Sequence, residues 1–295
     1  VIHRRQRQMC IRDRISYIYF ITYGIYLKMS DFKIGIDYGG TKIEGILIDS
    51  NGKEILRKRS TYEKNYESGL NTVKSLVSEF DKFTDQQNSV GVCIPGFSSY
   101  ETGLVNNANC IWINDKPFHK DLEKSLNREI RIMNDANCFA LSEAIDGSGA
   151  NYKSVWGVII GSGFGGSFVY EKKVIEGVNQ IAGDWGHQPL PYPTEEEINS
   201  NVQCNVGNCK RPLCAEQFIS GIGFTKLFNE KYGTSLRTRE IVALEANGDE
   251  RAKKEFELYE DRFARLISVM IGIVDPEVIV FGGGMSNVGR LYDNI

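Results

Sequence analysis

Apolar and polar positions along the chain switch between a two-residue and a 3.6-residue period. Phe32-Lys33-Ile34-Gly35-Ile36-Asp37 reads as a buried strand ending on a polar residue, and residues 43–49 read as a strand returning beside it. Gly39 and Gly40 make the tight turn between them, where glycine permits φ > 0. Asn51-Gly52 is a type I′ hairpin signal, with Glu54-Ile55-Leu56 opening a third strand. Leu70, Val73, Val77 and Phe80 fall at helical spacing and predict an amphipathic helix over 66–83. Val90-Gly91-Val92-Cys93-Ile94 is a short apolar strand closed by Pro95-Gly96. Phe118, Leu122 and Leu126 mark a second helix. Ile130-Arg131-Ile132-Met133 is a strand running into Asn134-Asp135-Ala136-Asn137, where a third helix starts.

The second half repeats this opening. Trp156-Gly157-Val158-Ile159-Ile160 is a strand, residues 161–166 a Gly-rich turn, and residues 167–170 the returning strand. A charged hairpin at Glu171-Lys172-Lys173 follows. Later, Phe256, Tyr259, Phe263, Leu266, Ile267 and Met270 give a long helix ending before Asp275-Pro276. Val278-Ile279-Val280-Phe281 then runs into Gly282-Gly283-Gly284. Two strand–turn–strand–hairpin units predict a duplicated α/β domain in preference to one doubly wound sheet.

Composition narrows the function. The chain has 295 residues, enough for two cores, and a net charge of −3, which argues against a nucleic-acid binder held by phosphate contacts. No run of 18 or more apolar residues predicts a membrane span. Residues 1–28 carry six Lys/Arg and one Asp, or +5, leaving −8 for the rest. This leader imitates a signal peptide but has no small-residue cleavage site, and MCIRDR at 9–14 resembles a translated sequencing-library transposon end. Residues 1–28 are therefore expected to be a non-native leader with the start at Met29, followed by one domain over 29–148 and a second over 149–295. The expected location is cytoplasmic.

Asp37-Tyr38-Gly39-Gly40-Thr41-Lys42 follows a strand directly, so backbone N–H groups, the Thr41 hydroxyl and the Lys42 ammonium can meet an anion there. Gly161-Ser162-Gly163 offers a second such turn. Neither has Walker A spacing, and each alone reads equally well as a tight connection. Asp135, between a strand and a helix, is either a helix N-cap or a carboxylate aimed at a substrate. His187, one of three histidines, precedes Cys204, Cys209 and Cys214, and one His with three Cys is a closed tetrahedral zinc set, though three cysteines in a long loop are also incidental in many proteins. Cys93, Cys110 and Cys138 read as small buried hydrophobes.

Taken in order, Asp37 to Lys42, Asn134-Asp135-Ala136-Asn137, Gly161-Ser162-Gly163, Asp184-Trp185-Gly186-His187 and Cys214-Ala215-Glu216 resemble the ROK family of sugar kinases and repressors. The segments at 105–109, 186–191 and 275–287 resemble its bacterial fructokinases (manno-fructokinases) most. The resemblance implies an actin-like ATPase (ribonuclease H-like) α/β fold, two domains with a cleft between them. It further implies Mg²⁺-dependent transfer of the γ-phosphoryl group of ATP to the 6-position of a hexose, fructose first, by a homodimer. A glucokinase or N-acetylglucosamine kinase is the near alternative. A sugar-responsive repressor is the distant one, disfavoured because residues 1–28 hold no helix-turn-helix pattern.

The resemblance also assigns roles. Asp135 becomes the catalytic base. Asn109, Asn134, Asp184, His187 and Glu216 become sugar ligands. Asp37 lies near the Mg²⁺–phosphate end of ATP; Gly39, Gly40, Thr41, Lys42, Gly161, Ser162 and Gly163 lie along the phosphates, and Gly282, Gly283 and Gly284 near the adenosine. Two departures stand out. Gly207 occupies the place of the family's first zinc cysteine, with Cys204 standing in, and Lys210 and Leu213 replace two loop glycines. Asp184 replaces a Glu, shortening that carboxylate's reach by roughly 1.5 Å, one C–C bond. The family pattern also continues beyond Ile295, so the second domain is expected to be truncated.

Overall fold

The computed structural model describes residues 2–3, 31–204 and 209–295. Most of the expected leader, and Gly207, lie outside them. The elements in chain order are β1 (Ile2–His3), β2 (Phe32–Tyr38), β3 (Lys42–Asp49), β4 (Glu54–Thr61), α1 (Tyr66–Thr84), β5 (Ser89–Ile94), β6 (Phe97–Ser98), β7 (Val105–Asn106), α2 (Phe118–Leu126), β8 (Ile130–Asn134) and α3 (Asp135–Ile145). They continue with β9 (Ser154–Ile160), β10 (Phe164–Tyr170), β11 (Lys173–Val174), α4 (Glu195–Asn199), α5 (Ala215–Ile219), α6 (Gly221–Tyr232), α7 (Thr238–Ala246), α8 (Glu250–Val274), β12 (Val278–Gly282) and α9 (Leu291–Asn294). Among the described residues, 31–145 and 176–182 form an N-terminal unit, while 2–3, 146–175 and 183–295 form a C-terminal unit.

The N-terminal unit is built on a sheet of order β4-β3-β2-β5-β8. The β2–β3 and β3–β4 pairs are antiparallel, and β5 and β8 join parallel to β2. Alternation sends Ile34, Ile36 and Tyr38 of β2 toward the apolar stripes of α1 and α2, where Val73, Val77, Phe80, Phe118 and Leu122 complete the core. Glycine at position 45 makes room for this packing, because a Cβ there would stand 2.7 Å from the Phe80 ring. The parallel arrangement places the ends of β2, β5 and β8 on one edge, where open α/β sheets carry their ligands.

The C-terminal unit repeats the plan with the order β11-β10-β9-β12-β1. A double hairpin is again followed by parallel strands, and Ile2–His3 supplies the fifth. Phe218, Phe224, Phe256, Tyr259 and Phe263 from α5, α6 and α8 pack with Val158, Ile160 and Phe281 of the sheet. The Tyr259 hydroxyl donates to the carbonyl of Ile219 (2.8 Å), so this buried phenol is satisfied. No described helix is long and apolar enough to cross a membrane.

Two turns differ from expectation. Asn51-Gly52 does not make a type I′ turn: only Gly52 is left-handed (φ 77°), and the Asp49 carboxylate accepts from the backbone N–H of Asn51 and of Lys53, both at 2.9 Å. That side chain stabilises a three-residue loop with a left-handed glycine at its end. The two-residue turn with both φ positive is instead Glu171-Lys172 (47° and 62°), between the paired Tyr170 and Lys173. The second Gly-rich turn is also shorter than expected. β10 begins at Phe164, so Gly165 and Gly166 belong to the strand.

Candidate active site

On the N-terminal unit the ligand edge carries Asp37, Asn134 and Asp135. Asp37 stands in register with Cys93 of β5, which is in register with Met133 of β8, two residues before Asp135. The Cys93 thiol donates to Asp37 Oδ1 (3.5 Å) and bonds Cys138; that bond, burial and the Asp37 charge raise its pKa well above a free thiol's. Cys93 is therefore a neutral donor to Asp37 as well as the buried filler expected of it.

The N-cap of α3 is Asn134, not Asp135. The Asn134 Oδ1 accepts from the N–H of Ala136 (2.9 Å) and of Asn137 (3.3 Å), while its Nδ2 donates to the Gly96 carbonyl (2.9 Å). Asp135 keeps one bond of this kind, Oδ1 accepting from Ala136 N–H (2.9 Å). Burial first, then the like charge of Asp37, pushes the Asp135 carboxyl up to about 6, against the pull of the backbone N–H groups. Two acids whose charges oppose each other at a strand edge mark a functional site, since a fold gains no stability from them.

The Asp37–Lys42 turn closes with the Gly39 N–H on the Lys42 carbonyl (3.2 Å). Neither Gly39 nor Gly40 is left-handed. Space is what requires Gly39, because a Cβ would lie 2.9 Å from the Lys42 carbonyl oxygen. Tyr62 pins the turn from behind, its hydroxyl donating to the Gly39 carbonyl (2.8 Å). Thr41 is exposed and Lys42 half-buried, and among the described residues no hydrogen bond or ion pair engages either side chain. Asn109 is exposed in the same unit, near the Gly96 that holds Asn134. A Cβ on Gly96 (φ 95°) would strike the Asn106 carbonyl oxygen at 2.5 Å and the Ala108 nitrogen at 2.8 Å.

On the C-terminal unit, Gly161-Ser162-Gly163 follows β9, and the Gly161 N–H closes on the Gly163 carbonyl (2.9 Å). Gly283 (φ 84°) sits against this turn, where a Cβ would meet the Ile160 carbonyl oxygen at 2.5 Å. Gly161 and Gly284 have open space where a Cβ would be. The structure thus brings Gly283 against the second turn. Glu216, 4% exposed, accepts from the Phe164 N–H through Oε2 (2.8 Å). Burial pushes its carboxyl up to about 7; the Phe164 N–H opposes this and the Asp184 charge adds to it. Asp184 itself is exposed.

His187, Cys204, Cys209 and Cys214 come together with their ligand atoms all within 4.8 Å of one another. His187 Nδ1 lies 3.3 Å from Cys214 Sγ and 3.7 Å from Cys204 Sγ. A tetrahedral zinc with bonds of about 2.0–2.3 Å separates its ligand atoms by roughly 3.3–3.8 Å, so this donor set fits. The clustering brings together the four residues that the sequence picked out across 28 positions. The loop carries strain at one residue: Leu213 is left-handed (φ 52°), a conformation costly for a side chain. Its backbone is held there by bonds to Val202 and Leu190.

Sequence reading missed Tyr62, Gly96 and the Phe164 N–H. Only Gly96 left a signal, in the Pro95-Gly96 pair; the other two act through contacts distant in sequence.

Two sheets with the order hairpin, hairpin, parallel, parallel, each with a Gly-rich turn at its strand ends, define a protein of the actin-like ATPase fold. The chain belongs to the ROK family, whose profile matches residues 33–295. It is 39% identical over 266 residues to the N-acetyl-D-glucosamine kinase of Pasteurella multocida, covering 88% of this chain and 86% of that protein. It is likewise 39% identical over 254 residues to the N-acetyl-D-glucosamine kinase of Citrobacter koseri, covering 86% and 84%. The ROK hexokinase of Thermus thermophilus shares the fold with a TM-score of 0.75 at 22% identity, over 89% of this chain and 86% of that one.

Proposed function

We propose that the protein is an ATP-dependent kinase that phosphorylates N-acetylglucosamine at its 6-hydroxyl, as a cytoplasmic homodimer. The substrate rests on one observation: 39% identity over most of the chain to kinases of that sugar. The chemistry rests on Asp135. A carboxyl at about 6 is roughly nine-tenths ionised at pH 7 and more basic than an ordinary aspartate, which suits a proton acceptor for the attacking hydroxyl. Asn109, Asn134, Asp184, His187 and Glu216 are the sugar ligands we assign. With Nδ1 of His187 turned to the thiols, its Nε2 is the atom left for a sugar hydroxyl.

For the nucleotide, the Gly39-Gly40-Thr41-Lys42 and Gly161-Ser162-Gly163 turns offer N–H donors, hydroxyls and one ammonium to the phosphates. Gly282, Gly283 and Gly284 flank the adenosine side. Mg²⁺ arrives with ATP and supplies positive charge to the transferring phosphoryl group, with Asp37 as the carboxylate that would hold it. A zinc on His187, Cys204, Cys209 and Cys214 would have no open position, so its contribution is rigidity in the segment carrying Glu216.

The test is a screen of the purified protein with Mg²⁺-ATP against N-acetylglucosamine, fructose, mannose and glucose, reading ADP release. The highest kcat/KM should fall on N-acetylglucosamine. A maximum on fructose would favour the second reading, which the segments at 105–109, 186–191 and 275–287 support. Transfer to none of the sugars would remove the kinase reading.

A further inference from the structure

Glu216 enters the proposed function as a sugar ligand, yet only part of it is available for that. Its Oε2 is engaged by the Phe164 N–H at 2.8 Å, the first amide after the Gly161-Ser162-Gly163 turn. Its Oε1 lies over the turn itself, 3.2 Å from where a Cβ on Gly163 would stand, and accepts no hydrogen bond among the described residues. The carboxylate therefore has one oxygen committed to backbone and one free.

The peptide that carries Glu216 is anchored on the same side. Its N–H donates to the Gly186 carbonyl (2.8 Å), and Gly186 is so close to Phe164 that a Cβ would fall 1.9 Å from the Phe164 carbonyl oxygen. His187 and Cys214, next to these residues, belong to the metal cluster. Phe164 is thus held at its N–H by the Glu216 side chain, with Gly186 packed close against its carbonyl. A glycine turn has little stiffness of its own, since glycine loses the most conformational freedom on ordering. The turn has one bond of its own, Gly161 N–H to the Gly163 carbonyl (2.9 Å), and the Gly221 N–H holds its first residue through the Gly161 carbonyl (2.8 Å); its far end is held through the Phe164 N–H.

We propose that Glu216 is a positioning residue for the nucleotide, holding the Gly161–Gly163 turn through the Phe164 N–H while its other oxygen serves the sugar. This rests on the kinase reading. Occupation of Oε1 by a sugar hydroxyl orders the carboxylate, the carboxylate orders the turn, and sugar and nucleotide bind with positive coupling.

Two substitutions separate this role from a plain sugar contact. Glu216→Gln keeps an amide oxygen that accepts from Phe164 N–H; Glu216→Ala keeps nothing. Two readouts are taken on each protein without sugar: the Kd of a non-hydrolysable ATP analogue by calorimetry, and the exchange rate of the Phe164 amide. Glu216→Ala should weaken the analogue by about tenfold and speed Phe164 exchange by a similar factor, the scale of one lost charge-assisted hydrogen bond. Glu216→Gln should stay within about twofold of the parent on both, while losing sugar affinity. Unchanged analogue binding and exchange in Glu216→Ala would overturn the proposal and leave the kinase reading intact. If Glu216→Ala does not fold, the parent protein decides, since Phe164 exchange there as fast as in an unprotected peptide would equally overturn the proposal. A parent protein that binds no ATP analogue would remove the kinase reading and the coupling with it.

Discussion

Replacing Asp135 by Asn should make the protein more stable and far less active, and the stability gain should depend on pH in a calculable way. The folded state holds the carboxyl at about 6 against an ordinary value of 3.8. It therefore favours the protonated form, so the stability contribution is fully present below pH 3.8 and is lost as pH rises through 6. The ionised group therefore costs the fold about 3 kcal/mol at pH 7.5, roughly half of that at pH 5 and less than about 1 kcal/mol at pH 4. Asn imitates the protonated acid, keeps the acceptor for the Ala136 N–H and carries no charge toward Asp37. Urea denaturation of parent and variant at those three pH values should show a gain that shrinks along this series. Over the same range kcat should fall by roughly 10²–10⁴-fold, the scale of a lost general base. A gain that is flat with pH would refute the reasoning, because it would come from the amide's hydrogen bonding. No gain at pH 7.5 would show that Asp135 is not held at a raised pKa.

Three further outcomes are expected. Elemental analysis should find about one zinc per chain and Cys209→Ser should lose it with a lower Tm; a metal-free protein of undiminished stability would remove the metal site. Gly186→Ala should cost more than about 3 kcal/mol in a denaturation series or give insoluble protein, because its Cβ would lie 1.9 Å from the Phe164 carbonyl oxygen; a soluble variant with parental stability would contradict that packing. Tyr62→Phe, which deletes the donor to the Gly39 carbonyl, should raise the Kd for Mg²⁺-ATP by about three- to tenfold and leave sugar affinity alone; equal loss of both would point to general unfolding.

Period and punctuation made the scaffold legible. Strand 278–282 is a continuous apolar run buried throughout, strand 32–38 shows its core face by alternation, and α1 and α8 announce themselves by stripes that end at left-handed Asp85 and Asp275. Turn chemistry was less legible. Asn51-Gly52 carries the strongest local signal for a type I′ turn, yet the Asp49 side chain wins the local backbone, while Glu171-Lys172 takes that conformation with no glycine because its flanking strands impose it. In the site, residue types were readable and their division of labour was not. Asn134 and Asp135 are adjacent, and which of them caps α3 depends on the Gly96 carbonyl, 38 positions away. Glycine was likewise read as a source of positive φ at 39 and 40; neither is left-handed, and at 39 close approach to the Lys42 carbonyl is the actual reason.

The path of the chain through its two units bears on how the protein can be taken apart. After β11 the chain leaves the C-terminal unit for seven residues, 176–182, before returning. Tyr100, from the first part of the N-terminal unit, donates its hydroxyl to the Glu176 carboxylate (2.6 Å), and within the excursion Ala182 N–H closes on the Glu176 carbonyl (3.1 Å). A split reporter or an isolated-domain clone cut at 145/146 would carry this patch away on the wrong fragment. Reconstitution from two pieces would then need the excursion to find its own way back, whereas a graft of 176–182 onto the first fragment through a short flexible spacer would restore the surface without it.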